Sequence, residues 1–169
     1  MARRLAPPLL LALLGALLLS GCAVGPKLDE VFQARPGPPQ GQARIYFYRP
    51  IDAFLIGRDT EFVVNDRRVG LALSGAVFFR DALPGNYRIH TVDDNHSVVF
   101  LQLEAGDIAY IRAQSQRGSL GFGVGAVLAE PEIGERESAH LVYSDGREDE
   151  DEAERPRYLL PQRAERGER

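Results

Sequence analysis

Cysteine and methionine each occur once in these 169 residues, histidine three times and tryptophan not at all. A single cysteine excludes an internal disulfide framework and any multi-cysteine zinc or iron–sulfur site. His90, His96 and His140 stand on separate segments with no i, i+4 pair, so no helical metal-ligand pair is spelled out and no metal site is assigned. Positive charge is not in excess either. Lys and Arg number 20 against 24 Asp and Glu, a formal net charge of −4, which removes the electrostatic footprint of a dedicated nucleic-acid binder. No apolar run reaches the ~20 residues that a helix needs to cross ~30 Å of hydrocarbon.

What is present falls into three zones of different composition. The first begins with Arg3 and Arg4, followed by the apolar run Leu9–Leu19, the layout of an export signal with a charged start and a short hydrophobic centre. Next comes Leu19-Ser20-Gly21-Cys22, which closely resembles the lipobox of bacterial lipoproteins, with the only cysteine at the lipobox position. The resemblance implies that Leu19, Ser20 and Gly21 are read by the signal peptidase. Cys22 would then carry a covalent diacylglyceryl group and, after cleavage, an N-acyl chain; no other cofactor is expected. The alternatives are an ordinary cleavage site or an uncleaved anchor helix. Two or three acyl chains anchor stably where one is marginal, at ~0.8 kcal/mol per buried methylene. Removing residues 1–21 takes Arg3 and Arg4 away and leaves a formal charge of −6, so anionic lipid would not attract the body and the acyl chains must hold it. Ala23 follows the cysteine where an Asp usually signals retention at the inner membrane. By that resemblance the expected location is the outer membrane, on its periplasmic side.

Residues 22–42 contain Pro26, Pro36, Pro38 and Pro39 among several glycines and read as a mostly irregular tether. Within it Leu28, Val31 and Phe32 share a face at helical spacing, so a helical turn that docks on the domain is the equal alternative. From Ala43 the pattern becomes short β-like runs broken by turn residues. These are 44–49, 61–64, 68–73, 77–81, 87–92, 97–103 and 108–114, with turns at Asn65-Asp66-Arg67, Pro84-Gly85-Asn86, Asp93-Asp94-Asn95 and Glu104–Asp107. Seven such strands at this spacing predict an all-β, antiparallel β-sandwich of seven to eight strands. Period-two alternation places Ile45, Phe47, Phe62, Val64, Val77, Phe79, Tyr87, Ile89, Val99, Leu101, Leu103, Ala109 and Ile111 in the core. The same alternation leaves Arg44, Tyr46, Arg80, Arg88 and Gln102 on a solvated face.

Four blocks in this order, Gly41–Arg49, Val63–Gly70, Leu83–Tyr87 and Leu103–Arg112, resemble the bacterial lipoprotein family called domain of unknown function 2846, over about residues 41–115. The family's usual turn has Asp-Gly where this chain has Asn65-Asp66. The resemblance implies a compact β domain on a lipid tether and carries no established activity.

The third zone is less patterned. Residues 118–125, GSLGFGVG, lack the Lys and Ser or Thr that complete a phosphate-binding loop and read as a loop or bulged edge strand. An eighth strand is expected over 124–129, and 132–143 fits a short helix or a last strand. The tail 145–169, with its acidic run 148–152, reads as solvated and disordered.

No catalytic residues are assigned. Ser74 and Ser119 lack a nucleophile-elbow setting, and the corner of Asp93, Asp94 and His96 reads first as a turn. Tyr46 and Tyr48 beside Arg44 and Arg49 are the candidate interface, for a protein or glycan of the envelope; the competing reading packs the tyrosines under the loop 51–60. The expected organisation is a signal peptide (1–21), a lipidated tether (22–42), a β-sandwich (43–144) and a charged tail (145–169). The expected role is binding or structural rather than enzymatic, with the lipid bilayer as one partner and no nucleic acid. An accessory subunit pairing through a sheet edge is the alternative, and a periplasmic hydrolase ranks behind it.

Overall fold

A computed structural model describes residues 25–32, 37–52, 59–118, 121–144, 146 and 158–162. The expected signal peptide, Leu19, Ser20, Gly21 and Cys22, and the acidic run 148–152 lie outside these residues. In chain order the elements are α1 (Leu28–Val31), β1 (Ala43–Arg49), β2 (Glu61–Val64), β3 (Arg67–Leu71), β4 (Ala76–Ala82), β5 (Gly85–Thr91), β6 (Val99–Leu103), β7 (Ile108–Gly118), β8 (Gly121–Ala129), α2 (Pro131–Ala139), β9 (Val142–Tyr143) and β10 (Tyr158–Leu159).

The strands form two sheets. One runs β10-β4-β1-β7-β8 with β9 also on β4, and the other runs β3-β2-β5-β6. The sandwich and the seven strands from 43 to 118 match the sequence reading, but the larger sheet is mixed. β1 and β7 pair in parallel at its centre, from Arg44↔Ile108 to Tyr48↔Arg112, and β9 and β10 both run parallel to β4. Parallel neighbours need a long crossover, supplied here by everything from β2 to β6. The hairpin β2–β3 turns on Asn65 and Asp66, whose φ angles of 48° and 63° are the two positive values a tight hairpin needs. Asn and Asp tolerate that conformation, so the pair replaces Asp-Gly without loss of the turn.

Between the sheets lies the main core of Ile45, Phe47, Phe62, Val64, Val69, Phe78, Tyr87, Ile89, Leu103, Ile111 and Val124, among others. Phe78 stacks on Phe47 at 5.1 Å between centroids and meets Phe62 edge-on at 6.0 Å. This corrects the alternation on β4: Phe78 points between the sheets, and Val77 and Phe79 point out of the sandwich. Their face is also buried. Leu28, Tyr46, Tyr48, Val77 and Tyr110 form a second apolar cluster, with Phe32, Phe79, Ala129, Leu141 and Tyr143 packed against it. α1 and α2 cover that face, so the larger sheet is the middle of three layers.

Residues 25–31 are accordingly part of the domain. Leu28 is fully buried, its N–H donates to Leu141 O (2.9 Å) and the Tyr143 N–H donates to Pro26 O (2.9 Å). Docking, one of the two readings of this segment, is what the structure has. The tail reading is corrected at 158–162. Leu159 is 3% exposed, and β10 pairs with Asp81 and Ala82 of β4. The Gln162 N–H donates to Asn86 O (2.9 Å) and Asn65 Nδ2 to Leu160 O (2.8 Å), so this short piece joins both sheets. The physical reason is Leu159, an apolar side chain inside a charged run, which gains more by burial in the main core than by staying solvated.

The Tyr87 hydroxyl sits under this clasp between the carbonyls of Leu83 (2.5 Å) and Leu159 (3.2 Å). Burial pushes its pKa up to about 12 from the ordinary 10.0. Because the folded value lies above the unfolded one, the contribution is complete below pH 10 and is lost as pH rises towards 12. Tyr87→Phe should therefore cost about 1 kcal/mol at pH 7, and the gap to wild type should narrow in denaturant titrations between pH 10 and 12. A gap of constant size across that range would show that the hydroxyl is not what titrates.

Candidate functional site

The four residues of the sequence-derived interface do not form a surface. Arg44, Tyr46, Tyr48 and Arg49 are 4%, 1%, 1% and 2% exposed. β1 is central, with β4 on one side and β7 on the other, and both of its faces are covered. Arg44 forks onto Asp81, Nε to Oδ1 at 2.7 Å and Nη2 to Oδ2 at 3.2 Å, and its guanidinium lies 4.0 Å from the Phe79 ring centroid. Pairing of this kind is what lets an arginine be buried. Tyr46 stacks on Tyr110 at 5.2 Å and packs on Phe79. The cover over the tyrosines is α1 and α2. The loop 51–60 named in the competing reading is described only at its ends. Arg80 is likewise buried, its Nη1 donating to Phe79 O (2.8 Å) and its guanidinium over Phe78, whereas Arg88 and Gln102 do reach solvent.

The structure groups polar side chains where β1 ends. Pro50 takes the chain out of the sheet, while β7 continues against β8 to Gly118↔Gly121. An open cleft of about 360 Å³ results, lined by Pro50, Ile51, Asp52, Arg112, Ala113, Gln114 and Ser115. Arg112 links the cleft to the covered face behind it: its Nε lies 3.6 Å from Glu137 Oε2, and the same oxygen accepts the Tyr48 hydroxyl at 2.9 Å. Burial, helped by the hydrogen bond to Glu137, raises the Tyr48 pKa far above its usual value, so this phenol stays a donor and transfers no proton near neutrality. On the other side of β1, Arg49 Nη1 donates to Ala72 O (3.0 Å). Burial lowers the pKa of Arg49, against the pull of Asp59, Asp52 and Asp93.

Chemically this end of the sandwich offers a half-exposed guanidinium, an amide and a hydroxyl beside a strand edge. That set can hold an extended polar or anionic segment and contains no nucleophile with a base beside it. Sequence reasoning missed Glu137 because helix α2 has no apolar stripe to reveal it. The helix packs instead through Gly134 and Ser138, one turn apart and both buried. A Cβ at Gly134 would lie 2.3 Å from Tyr110 Cβ, so only glycine allows the helix this close. The Gly134–Ser138 spacing was the available signal.

The corner at Asp93, Asp94 and His96 is a capped turn. Asp94 Oδ1 accepts the N–H groups of His96 (2.9 Å) and Ser97 (3.2 Å), and Oδ2 accepts the Ser97 hydroxyl (2.5 Å). The Ser97 hydroxyl chiefly, with those two N–H groups, lowers the Asp94 pKa. Among the described residues no three His, Cys, Asp or Glu come together to hold a metal. The described part of the glycine-rich run, residues 118 and 121–125, is strand within β7 and β8.

A family model described as "Protein of unknown function (DUF2846)" matches residues 39–126, from just before β1 into β8. Neither the curated proteins nor the solved structures yield a match to this chain.

Proposed function

Since the chain belongs to the DUF2846 family of proteins of unknown function, we propose that it is a lipid-anchored lipoprotein of the bacterial envelope. Its sandwich domain faces the periplasm in a binding or structural role. The observation that carries this reading is Leu19-Ser20-Gly21-Cys22 directly after the apolar run Leu9–Leu19. Cys22 is the residue acylated, and no further cofactor is required. Ala23 after the cysteine favours the outer membrane. The role is non-enzymatic: the buried tyrosines and arginines of β1 serve packing, and the acidic balance of the chain speaks against nucleic acid as a partner. A second reading, an accessory subunit that pairs a partner strand to a sheet edge, draws on β7 running past the end of β1 beside an open cleft.

The test is intact mass and membrane fractionation of the protein expressed in a Gram-negative host, alongside Cys22→Ala. The expected result is a mature chain beginning at Cys22 with added acyl mass, bound to the outer membrane, and a Cys22→Ala protein released from it. An unmodified Cys22, with the substituted protein still in the membrane, would overturn the proposal.

A further inference from the structure

The segment that follows the lipobox is short before it becomes part of the domain. Gly25 already touches β9, its Cβ position 3.0 Å from Val142 Cγ1. Lys27 bridges Val142 in antiparallel fashion, and Leu28 is buried beneath it. Only Ala23 and Val24 separate Cys22 from this docked strand-like piece. Three residues of fully extended chain span at most ~11 Å, little more than the ~5–8 Å depth of the polar headgroup region on one side of a bilayer. A cysteine held at the lipid surface by its acyl chains therefore cannot hold the sandwich at a distance.

We propose that the sheet edge formed by residues 25–27, β9 and β10 lies directly against the bilayer, so that the sandwich rests on the membrane along one defined edge. This rests on acylation of Cys22 and adds to it the surface that meets lipid. β9 and β10 occupy the same side of β4, opposite β1. Along that edge and beside it stand Val31 (39% exposed), Leu83 (43%), Tyr158 (59%) and Leu160 (59%). Exposed tyrosine and leucine side chains suit the boundary between headgroups and water, where an aromatic ring with a polar tip is favoured. Among the described residues, the exposed charges on the docked segment and α1 are Lys27, Asp29 and Glu30, which give no net attraction for anionic lipid. Contact is thus set by the short covalent link and by apolar side chains.

Sheet order turns the proposal into a distance. From residues 25–27 the strands follow as β9, β4, β1, β7 and β8, five steps of about 4.8 Å, so β8 stands roughly 24 Å from the docked segment. Leu128 on β8 is exposed and marks the far edge. With Cys22 acylated through its sulfur, the chain offers no other thiol, so one introduced cysteine takes a fluorophore at a single place.

The experiment uses the full, processed protein carrying Lys27→Cys or Leu128→Cys, its acylation verified by intact mass. It is reconstituted in phosphatidylethanolamine–phosphatidylglycerol vesicles containing headgroup-linked nitroxide lipid. Quenching at position 27 should be several-fold greater than at position 128. A 20-residue Gly/Ser insert between Val24 and Gly25, with a coil span of about 25 Å, should abolish the difference while leaving acylation unchanged. Equal quenching at 27 and 128 in acylated protein of native length overturns the apposition alone. Weak quenching at both, as when a second protein covers the edge, does the same. An unacylated Cys22 overturns the anchor and the apposition together, and the mass spectrum separates that failure from the others.

Discussion

Phe78→Ala should lower folding stability by about 3–5 kcal/mol, among the largest costs of any single truncation in this domain. The ring is 1% exposed and stands at the centre of the sandwich, stacked on Phe47 and edge-on to Phe62. Gly70 and Gly146 approach it so closely that a Cβ on either would lie within 3 Å of the ring. The guanidinium of Arg80 lies over it at 4.9 Å. Removing the ring leaves a cavity bounded by both sheets, and it uncovers a buried cation as well. Two glycine backbones and a central strand cannot collapse into the space, so little of the loss is recovered by relaxation. Phe79→Ala, one residue along, is the informative comparison. Phe79 is only partly buried and packs in the outer cluster with Phe32, Tyr46 and Tyr143, so its truncation should cost clearly less. Urea titrations of the three proteins decide it; equal losses would mean that the two faces of β4 carry equal weight.

Leu159→Ala should cost about 2–5 kcal/mol although it lies in the last dozen residues of the chain, whereas Leu160→Ala should stay within about 0.5 kcal/mol of wild type. The two leucines are neighbours with opposite environments, 3% and 59% exposed. Leu159 fills the main core at the end of β4, its carbonyl accepts both the Leu83 N–H and the Tyr87 hydroxyl, and loss of its side chain loosens a segment that pairs with β4 and also hydrogen-bonds to β5. A flat response to Leu159→Ala would return residues 158–162 to the status of a solvated tail.

The sequence told more about where strands lie than about which way their side chains point. β2, β3, β5 and β6 belong to a sheet with one covered face, and there alternation gave Phe62, Val64, Tyr87, Ile89 and Leu103 correctly as core while Arg88 and Gln102 reached water. β1 and β4 belong to a sheet buried on both faces. In Ala43–Arg49 every residue is buried, and in such strands apolar residues occupy both parities, so alternation carries no facing information. Arg44 and Arg49 misled for the same reason, since nothing local announces that Asp81 or the Ala72 carbonyl will meet them. β9 and β10 are two residues each, below the length at which a pattern exists, and α2 hides its packing face in Gly134 and Ser138. The sites assigned from the lipobox, Leu19 to Cys22, fall outside the described residues, and the cleft at Arg112 is built from residues 50–52 and 112–115, far apart in the chain.

The parallel pairing of β1 with β7 has a bearing on how the molecule comes into being. Residues 44–48 hydrogen-bond with residues 108–112, and the β4 edge is finished only by segments at 142–143 and 158–159. Loop-closure entropy must be met before any of these long-range contacts gives a return. β1 therefore stays without its central neighbour until residues 108–112 have followed it from the ribosome, and the β4 edge stays without the clasp until residues 158–159 have. Half a chain is not half a sandwich, and the polypeptide remains threadable until its last buried leucine arrives.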